Sequence, residues 1–231
     1  MREMPKPHHS VPPHNPGVRE LVSGKRKGAV PLKREDAVLG FRGWNERGYL
    51  PHRDEPDLTQ FVTFHLADSF PAALRSEWEA MLQIENHQDR RLQLENYLDR
   101  GRGECHLRQP DIAEMVEKAL LFRHDSDYEL HAWVLMPNHL HVLFTVRGVP
   151  MSRTVENWKK FTAHEANKLL QRHGKFWADD YWDTYRRDDA HELKTRRYIE
   201  NNPVKALLVR EPEQWLWSSA RFRDKNGNLC L

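Results

Sequence analysis

Cysteine is scarce: Cys105 and Cys230 are the only two in 231 residues. They are too few and too scattered for a disulfide framework or a cysteine-held zinc, and both read as reduced thiols. Long apolar runs are missing as well. None approaches the ~18 residues that a membrane-spanning helix needs, and the first thirty residues lack the apolar stretch of a secretory leader. The expectation is a cytoplasmic protein with no membrane partner. Neither sign of charge dominates, since 36 Lys+Arg stand against 34 Asp+Glu for a net charge of +2. What is present is a hydrophobic fraction of 39% with eight Trp and nine Phe, which suffices for a packed interior and argues against a disordered chain.

The balanced total hides an asymmetry. Residues 1–55 carry a net +4, residues 56–130 a net −7 and residues 131–231 a net +5. A basic C-terminal part beside an acidic middle fits one face meeting a polyanion, although ordinary solvated surfaces also carry such an excess. Residues 1–56 hold 8 of the 14 prolines and 6 of the 11 glycines, and Met1 to Lys33 shows no sustained period. The reading is a flexible, basic, Pro/Gly-rich arm over 1–43, a single folded domain over 44–225 and a short tail over 226–231. Order is expected to begin near Trp44 to Leu50, and Ser23 to Gly28 in the arm is a short basic patch.

Within the domain, LTQFVTFHL (Leu58 to Leu66) reads as a strand, and Pro71 to Leu98 as a helix or a pair of helices. Gly101 and Gly103 break the chain. A second helix then opens with Asp111 as candidate N-cap. YELHAWVL (Tyr128 to Leu135) and HLHVLFTV (His139 to Val146) are strands joined by a turn at Met136-Pro137-Asn138. Ser152 to Gln171 is helical and closed by Gly174, and another helix lies between Ala190 and Asn202, with a short turn resuming after Pro203. The order strand, helix, strand, strand, helix predicts an α+β fold: a ferredoxin-like, split βαβ antiparallel sheet with helices on one face.

Strand alternation puts His139, His141, Leu143 and Thr145 on one side of HLHVLFTV and Leu140, Val142, Phe144 and Val146 on the other. Backbones two residues apart on a strand sit about 6.5–7 Å apart, so the two imidazoles can converge on one cation. An isolated His-x-His is also met as two surface histidines. The tight corner before it places His139 at a rim that a substrate can reach.

That corner belongs to a wider pattern. AWVLMPNHLHVLF, followed by YIENNPVKALL, resembles the IS200-like single-tyrosine transposases, and among them the REP-associated tyrosine transposases. RGYLPHRDEPDLTQFVTFHLADSFP, WKKFTAHEANKLL, FWADDYWDTYRRDDAHELKTRRYI and PEQWLWSSARF are similar too, so the likeness runs from about Arg47 to Phe222. Many relatives follow the second motif with Ala-Gly-Leu, where this chain has Ala206-Leu207-Leu208.

The resemblance implies an HUH nuclease, so that residues 44–225 form a transposase-like catalytic domain. His139 and His141 are then the metal-binding pair and Tyr198 the nucleophile. It implies a metal-dependent single-strand DNA endonuclease and strand transferase, which cleaves hairpin-bearing DNA through a 5′-phosphotyrosine. The expected cofactor is Mg²⁺ or Mn²⁺, and the expected assembly a monomer or homodimer, with the tyrosine serving its own subunit or a partner's. Tyr198 and Asn202 are four apart and share a helix face, so the Asn202 amide either joins the metal shell or caps the helix before Pro203. Proximity to the cation and to basic neighbours would favour the phenolate of Tyr198.

Arg186, Arg187, Lys194, Arg196 and Arg197 form the densest basic cluster and are candidate phosphate contacts, extended by Trp158, Lys159 and Lys160. Trp177, Tyr181, Trp182 and Tyr185 are candidates for stacking on unpaired bases, about half of them expected in the core. Two rival readings stand beside this one: a domesticated, non-catalytic binder of repeated DNA hairpins, and a metal-dependent hydrolase of small molecules. A carboxylate-rich cluster, which the second would need, is not evident beside the histidines.

Overall fold

A computed structural model describes residues 32–47, 50–70, 75–84 and 86–231. Residues 1–31 of the expected arm, with the Ser23 to Gly28 patch, lie outside the described residues. Order begins ahead of Trp44: helix α1 (Arg34–Leu39) ends on Gly40 in the left-handed conformation, and Phe41, 3% exposed, anchors the chain in the core. Strands β1 (Gly43–Arg47) and β2 (Leu50–Asp54) form a hairpin. There follow β3 (Thr59–His65), α2 (Arg75–Leu82), α3 (His87–Leu98), α4 (Pro110–Leu121), β4 (Tyr128–Leu135) and β5 (His139–Val146). The chain continues through α5 (Met151–Leu169), β6 (Trp182–Tyr185), α6 (Asp189–Glu200) and α7 (Asn202–Lys205). Among the described residues no helix is long and apolar enough to cross a membrane.

The four-stranded sheet has the order β4-β5-β3-β6, with every neighbouring pair antiparallel. This is the split βαβ arrangement that the element order predicts: β3 and β4 of one unit are held apart by β5. Strand alternation sends Val62, Phe64, Leu140, Val142 and Phe144 to one face, where Ile112, Val116 and Leu120 of α4 and Met151, Val155 and Trp158 of α5 cover them. A bulge between Leu130 and Ala132 shifts the register of β4. Leu130, Trp133 and Leu135 therefore share the helix-covered face, although two of them stand three apart.

Helix α4 starts two residues earlier than an Asp111 cap predicts, with Pro110 in its first turn and Gln109 as N-cap. Proline is at home there because the first helical N–H has no intrahelical partner. Helix α5 is capped from a distance. Asp54 of β2 accepts from the Met151 N–H at 2.9 Å and from Ser152 Oγ at 3.0 Å.

The opposite face of the sheet carries a smaller apolar patch, Phe61, Ala132, Val134 and Leu143, onto which Ile199 of α6 packs. Helix α6 therefore lies across the sheet from α4 and α5. Its N-cap Asp188 accepts from the His191 N–H at 2.7 Å, and Pro203, with no N–H to donate, ends it and opens α7.

Candidate active site

The register of β3 against β5 sets Thr63 opposite His141 and His65 opposite His139, so these side chains share the face that α6 covers. Both rings of the His-x-His pair are 0% exposed, and their centroids stand 4.8 Å apart. The turn before them is tied down from several directions. The Leu66 N–H donates to the Asn138 carbonyl at 2.8 Å, and Met136 N–H donates to the His139 carbonyl at 2.8 Å.

The Asn138 side chain sets the tautomer of His139. Its Nδ2 donates to the Arg102 carbonyl at 2.9 Å, which turns Oδ1 toward His139 Nδ1 at 2.8 Å. An amide oxygen only accepts, so Nδ1 carries the proton and Nε2 presents a lone pair. The loop that supplies the Arg102 carbonyl depends on Gly103, whose φ is +87° and whose position leaves only 2.8 Å between an added Cβ and the Asp68 carbonyl oxygen. His141 Nδ1 is likewise engaged, by Thr63 Oγ1 at 2.7 Å.

Tyr198 meets this pair from α6. Its ring centroid lies 5.7 Å from that of His141 and 6.1 Å from that of Phe61. One helical turn on, Asn202 is 1% exposed, and neither its Oδ1 nor its Nδ2 has a hydrogen-bond partner among the described residues. Capping of α6 is done by the neighbouring Asn201, whose Nδ2 donates to the Arg197 carbonyl at 2.8 Å. His139 Nε2 also has no hydrogen-bond partner there and stands 3.8 Å from Asp99 Oδ1. A buried amide with all its polar atoms unsatisfied costs free energy and calls for an absent water or ion. Imidazole nitrogens with an amide oxygen are donors that a divalent cation could share with several non-protein ligands. Among the described residues no group of three His, Cys, Asp or Glu has metal-holding geometry, so such a site would need a ligand of another kind, for which the buried Asn202 amide one turn from Tyr198 is the candidate.

Burial also fixes protonation. Desolvation lowers His139 to about 3, helped by nearby His65 and Lys205. Desolvation lowers His65 to about 4, against a hydrogen bond from its ring to the Leu66 carbonyl. Both rings are neutral at pH 7, the form a metal requires. In the unfolded chain they titrate near 6.5, so below that pH the unfolded state binds more protons and stability falls as pH drops toward 4. Urea unfolding at pH 7 and pH 5.5 should show a loss of about 1 kcal/mol per ring. Equal stability at the two pH values would contradict this burial.

The basic candidates lie elsewhere. Arg186 pairs with Asp189 and, at 3.0 Å, with Glu192. With Arg196 it lines a cleft beside Thr59 and Thr145, at the end of β5 away from His139. Arg187, Lys194 and Arg197 are exposed on α6 and its approach. Lys159 donates to the Asp179 carbonyl at 2.7 Å and Lys160 pairs with Glu156 at 2.7 Å, both on α5 across the sheet. Trp158 does not extend a surface: it is 5% exposed in the core and its Nε1 donates to Tyr128 at 2.9 Å. Trp177 and Tyr181 are core residues, whereas Trp182 and Tyr185 on β6 are half-buried. Trp182 stacks on His65 with centroids 5.2 Å apart.

Three participants went unread in the sequence. His65 ends a legible strand, but only the β3–β5 register sets it against His139. Glu95 arrives on α3 and Asp99 just past its end, and the Glu95 carboxylate meets the Tyr198 hydroxyl, with Oε2 at 2.9 Å.

Comparison with known proteins bears on this constellation. Residues 106–202 match the family described as "Transposase IS200 like". A curated relative, the REP-associated tyrosine transposase of Escherichia coli (strain K12), is 27% identical over 110 residues, which is 46% of this chain and 63% of that protein's length. A solved structure of a REP-associated tyrosine transposase bound to a REP hairpin superposes with a TM-score of 0.49 at 18% identity, covering 80% of this chain and 87% of the other. The part of the chain that holds both histidines, the tyrosine and the asparagine thus lies within the match to the IS200-like transposases, and the chain is similar to a REP-associated tyrosine transposase.

Proposed function

We propose that the domain nicks and rejoins single-stranded, hairpin-bearing DNA through Tyr198, with a divalent cation, Mg²⁺ or Mn²⁺, held by His139, His141 and Asn202. The observation that carries this reading is the Tyr198 phenol beside the His141 ring, one helical turn from a buried amide with unsatisfied polar atoms. The cation supplies charge neutralisation at the phosphoryl oxygens of the scissile linkage. The protein supplies the rest. Asn138 and Thr63 orient the imidazoles, and the packing of α6 fixes the phenol for in-line attack, which leaves a 5′-phosphotyrosine and a free 3′-hydroxyl. That bond conserves the phosphodiester energy, so a 3′-hydroxyl can reverse the step and join strands. Tyr198 lies against the His141 ring of its own chain, which favours a tyrosine acting on its own subunit. The curated relative is a REP-associated transposase, and its name points to DNA as the substrate class.

Contacts to the DNA backbone fall to Arg187, Lys194, Arg196 and Arg197, with Arg186, Lys159 and Lys160 available once their present partners yield. Binding should then weaken as salt rises. The test is incubation of the full chain with a hairpin oligonucleotide and Mn²⁺, followed by denaturing electrophoresis. A covalent protein–DNA band that EDTA prevents is expected. Hairpin binding that ignores EDTA, with no cleavage in Mg²⁺ or Mn²⁺, would replace the nuclease by a non-catalytic binder.

A further inference from the structure

The acid at the Tyr198 hydroxyl is built in. Glu95 belongs to α3, 103 residues before the tyrosine, and is 5% exposed. Glutamate is seldom buried to this degree without a partner that repays its lost hydration, and here the phenol O–H donates to Oε2 at 2.9 Å. The helix that carries Glu95 is held from both sides. Leu94, Tyr97 and Leu98 are buried beneath it, and Lys205 of α7 binds Asp99 Oδ2 at 2.8 Å and Asn96 Oδ1 at 3.1 Å. Helix α3 is thereby clamped to the segment that also carries Asn202.

Among the described residues, titratable and charged groups face the contact from α3 and its end, α6, α7 and β5. Asp99 stands one turn on, just past the end of α3, with Lys205 offsetting its charge, Tyr198 comes from α6, and the His139 and His141 rings come from β5. Both rings have Nδ1 engaged away from the phenol, by Asn138 and Thr63. The Glu95 carboxylate is in hydrogen-bond contact with the phenol oxygen, and it accepts without donating.

We propose that Glu95 is the general base for Tyr198, an inference that rests on the nuclease reading above. As Tyr198 Oη bonds to phosphorus, its proton passes to Glu95 Oε2. The phosphorus–O3′ bond breaks, its electron pair leaves on O3′, and that oxygen takes a proton from water to become the 3′-hydroxyl. In the rejoining direction the 3′-hydroxyl loses its proton to water as it attacks phosphorus, and protonated Glu95 returns its proton to the departing phenolate.

The experiment compares Glu95→Gln, Glu95→Asp and Glu95→Leu in the full chain. Glu95→Gln should leave hairpin affinity within about twofold and slow adduct formation about a hundredfold, the scale of a lost general base. Its rate should then follow phenolate formation, rising about tenfold per pH unit between pH 7 and pH 9, a slope the unaltered protein does not share. Glu95→Asp should recover part of the loss. A Glu95→Gln rate within about threefold of the unaltered protein, with a parallel pH profile, would overturn the proposal.

A second readout needs no cleavage. The Raman difference between the unaltered chain and Tyr198→Phe isolates the Tyr198 doublet, which should report a phenol donating strongly to a carboxylate and should change in Glu95→Leu. No change would overturn the contact itself. If the unaltered protein formed no adduct, the nuclease reading would fall while the Raman comparison still decided whether Glu95 holds the phenol.

Discussion

Tyr198→Phe is expected to abolish the covalent protein–DNA adduct, lowering its rate of formation by at least about 10³-fold. Hairpin affinity should stay within about twofold. Only the hydroxyl is lost, while the ring keeps its contacts with Phe61 and His141. Tyr198 is half-buried and Ile199 beside it carries the main packing against the sheet, so thermal stability should change little. The change does leave the Glu95 carboxylate without the phenol donor at Oε2. For that reason Tyr198→Phe and the double variant Tyr198→Phe/Glu95→Gln should be measured together. Adduct formation persisting in either would move the nucleophile to another side chain.

The second large effect belongs to Asn202. Its side chain is fully enclosed with unsatisfied polar atoms, while Asn201 performs the capping. Asn202→Leu keeps the volume and removes the unsatisfied amide, so the metal-free domain should gain about 1–3 kcal/mol in stability, read by urea unfolding. The same change should weaken Mn²⁺ binding, followed by calorimetry, about tenfold or more, and slow Mn²⁺-dependent cleavage about a hundredfold. Stability and function move in opposite directions, as expected of a polar group retained for a ligand. A destabilised variant with full Mn²⁺ affinity would make Asn202 a structural residue.

How much of this was legible beforehand follows from the physics of each element. Strand β5 was readable down to which side each residue faces, because a period of two is unambiguous when one face is apolar and buried. The same period carried His139 and His141 onto the side away from α4 and α5. The cap of α4 was misread by two positions, Asp111 for Gln109, since Pro110 is equally suited to the first turn. Strand β6 was not legible. Its four residues Trp182–Tyr185 are too short to show alternation, and their aromatic content reads equally well as a stacking surface.

The site was legible where its parts lie close in sequence and illegible where pairing brings them together. The His-x-His pair and the Tyr198/Asn202 spacing each fall within one element. His65 depends on strand register and Glu95 on the docking of a helix about a hundred residues away, and neither leaves a local trace. The basic cluster shows the reverse error. Arg186 looked free as a sequence, but the start of α6 also supplies Asp189 and Glu192, which engage it.

The most direct measurement is mass spectrometry of the covalent complex formed with a hairpin oligonucleotide in Mn²⁺, after digestion with trypsin. The predicted result is an oligonucleotide fragment attached through phosphate to Tyr198 in the peptide from Tyr198 to Lys205. Attachment at any other residue, or an unmodified peptide from a reaction that has cleaved the DNA, would contradict the account.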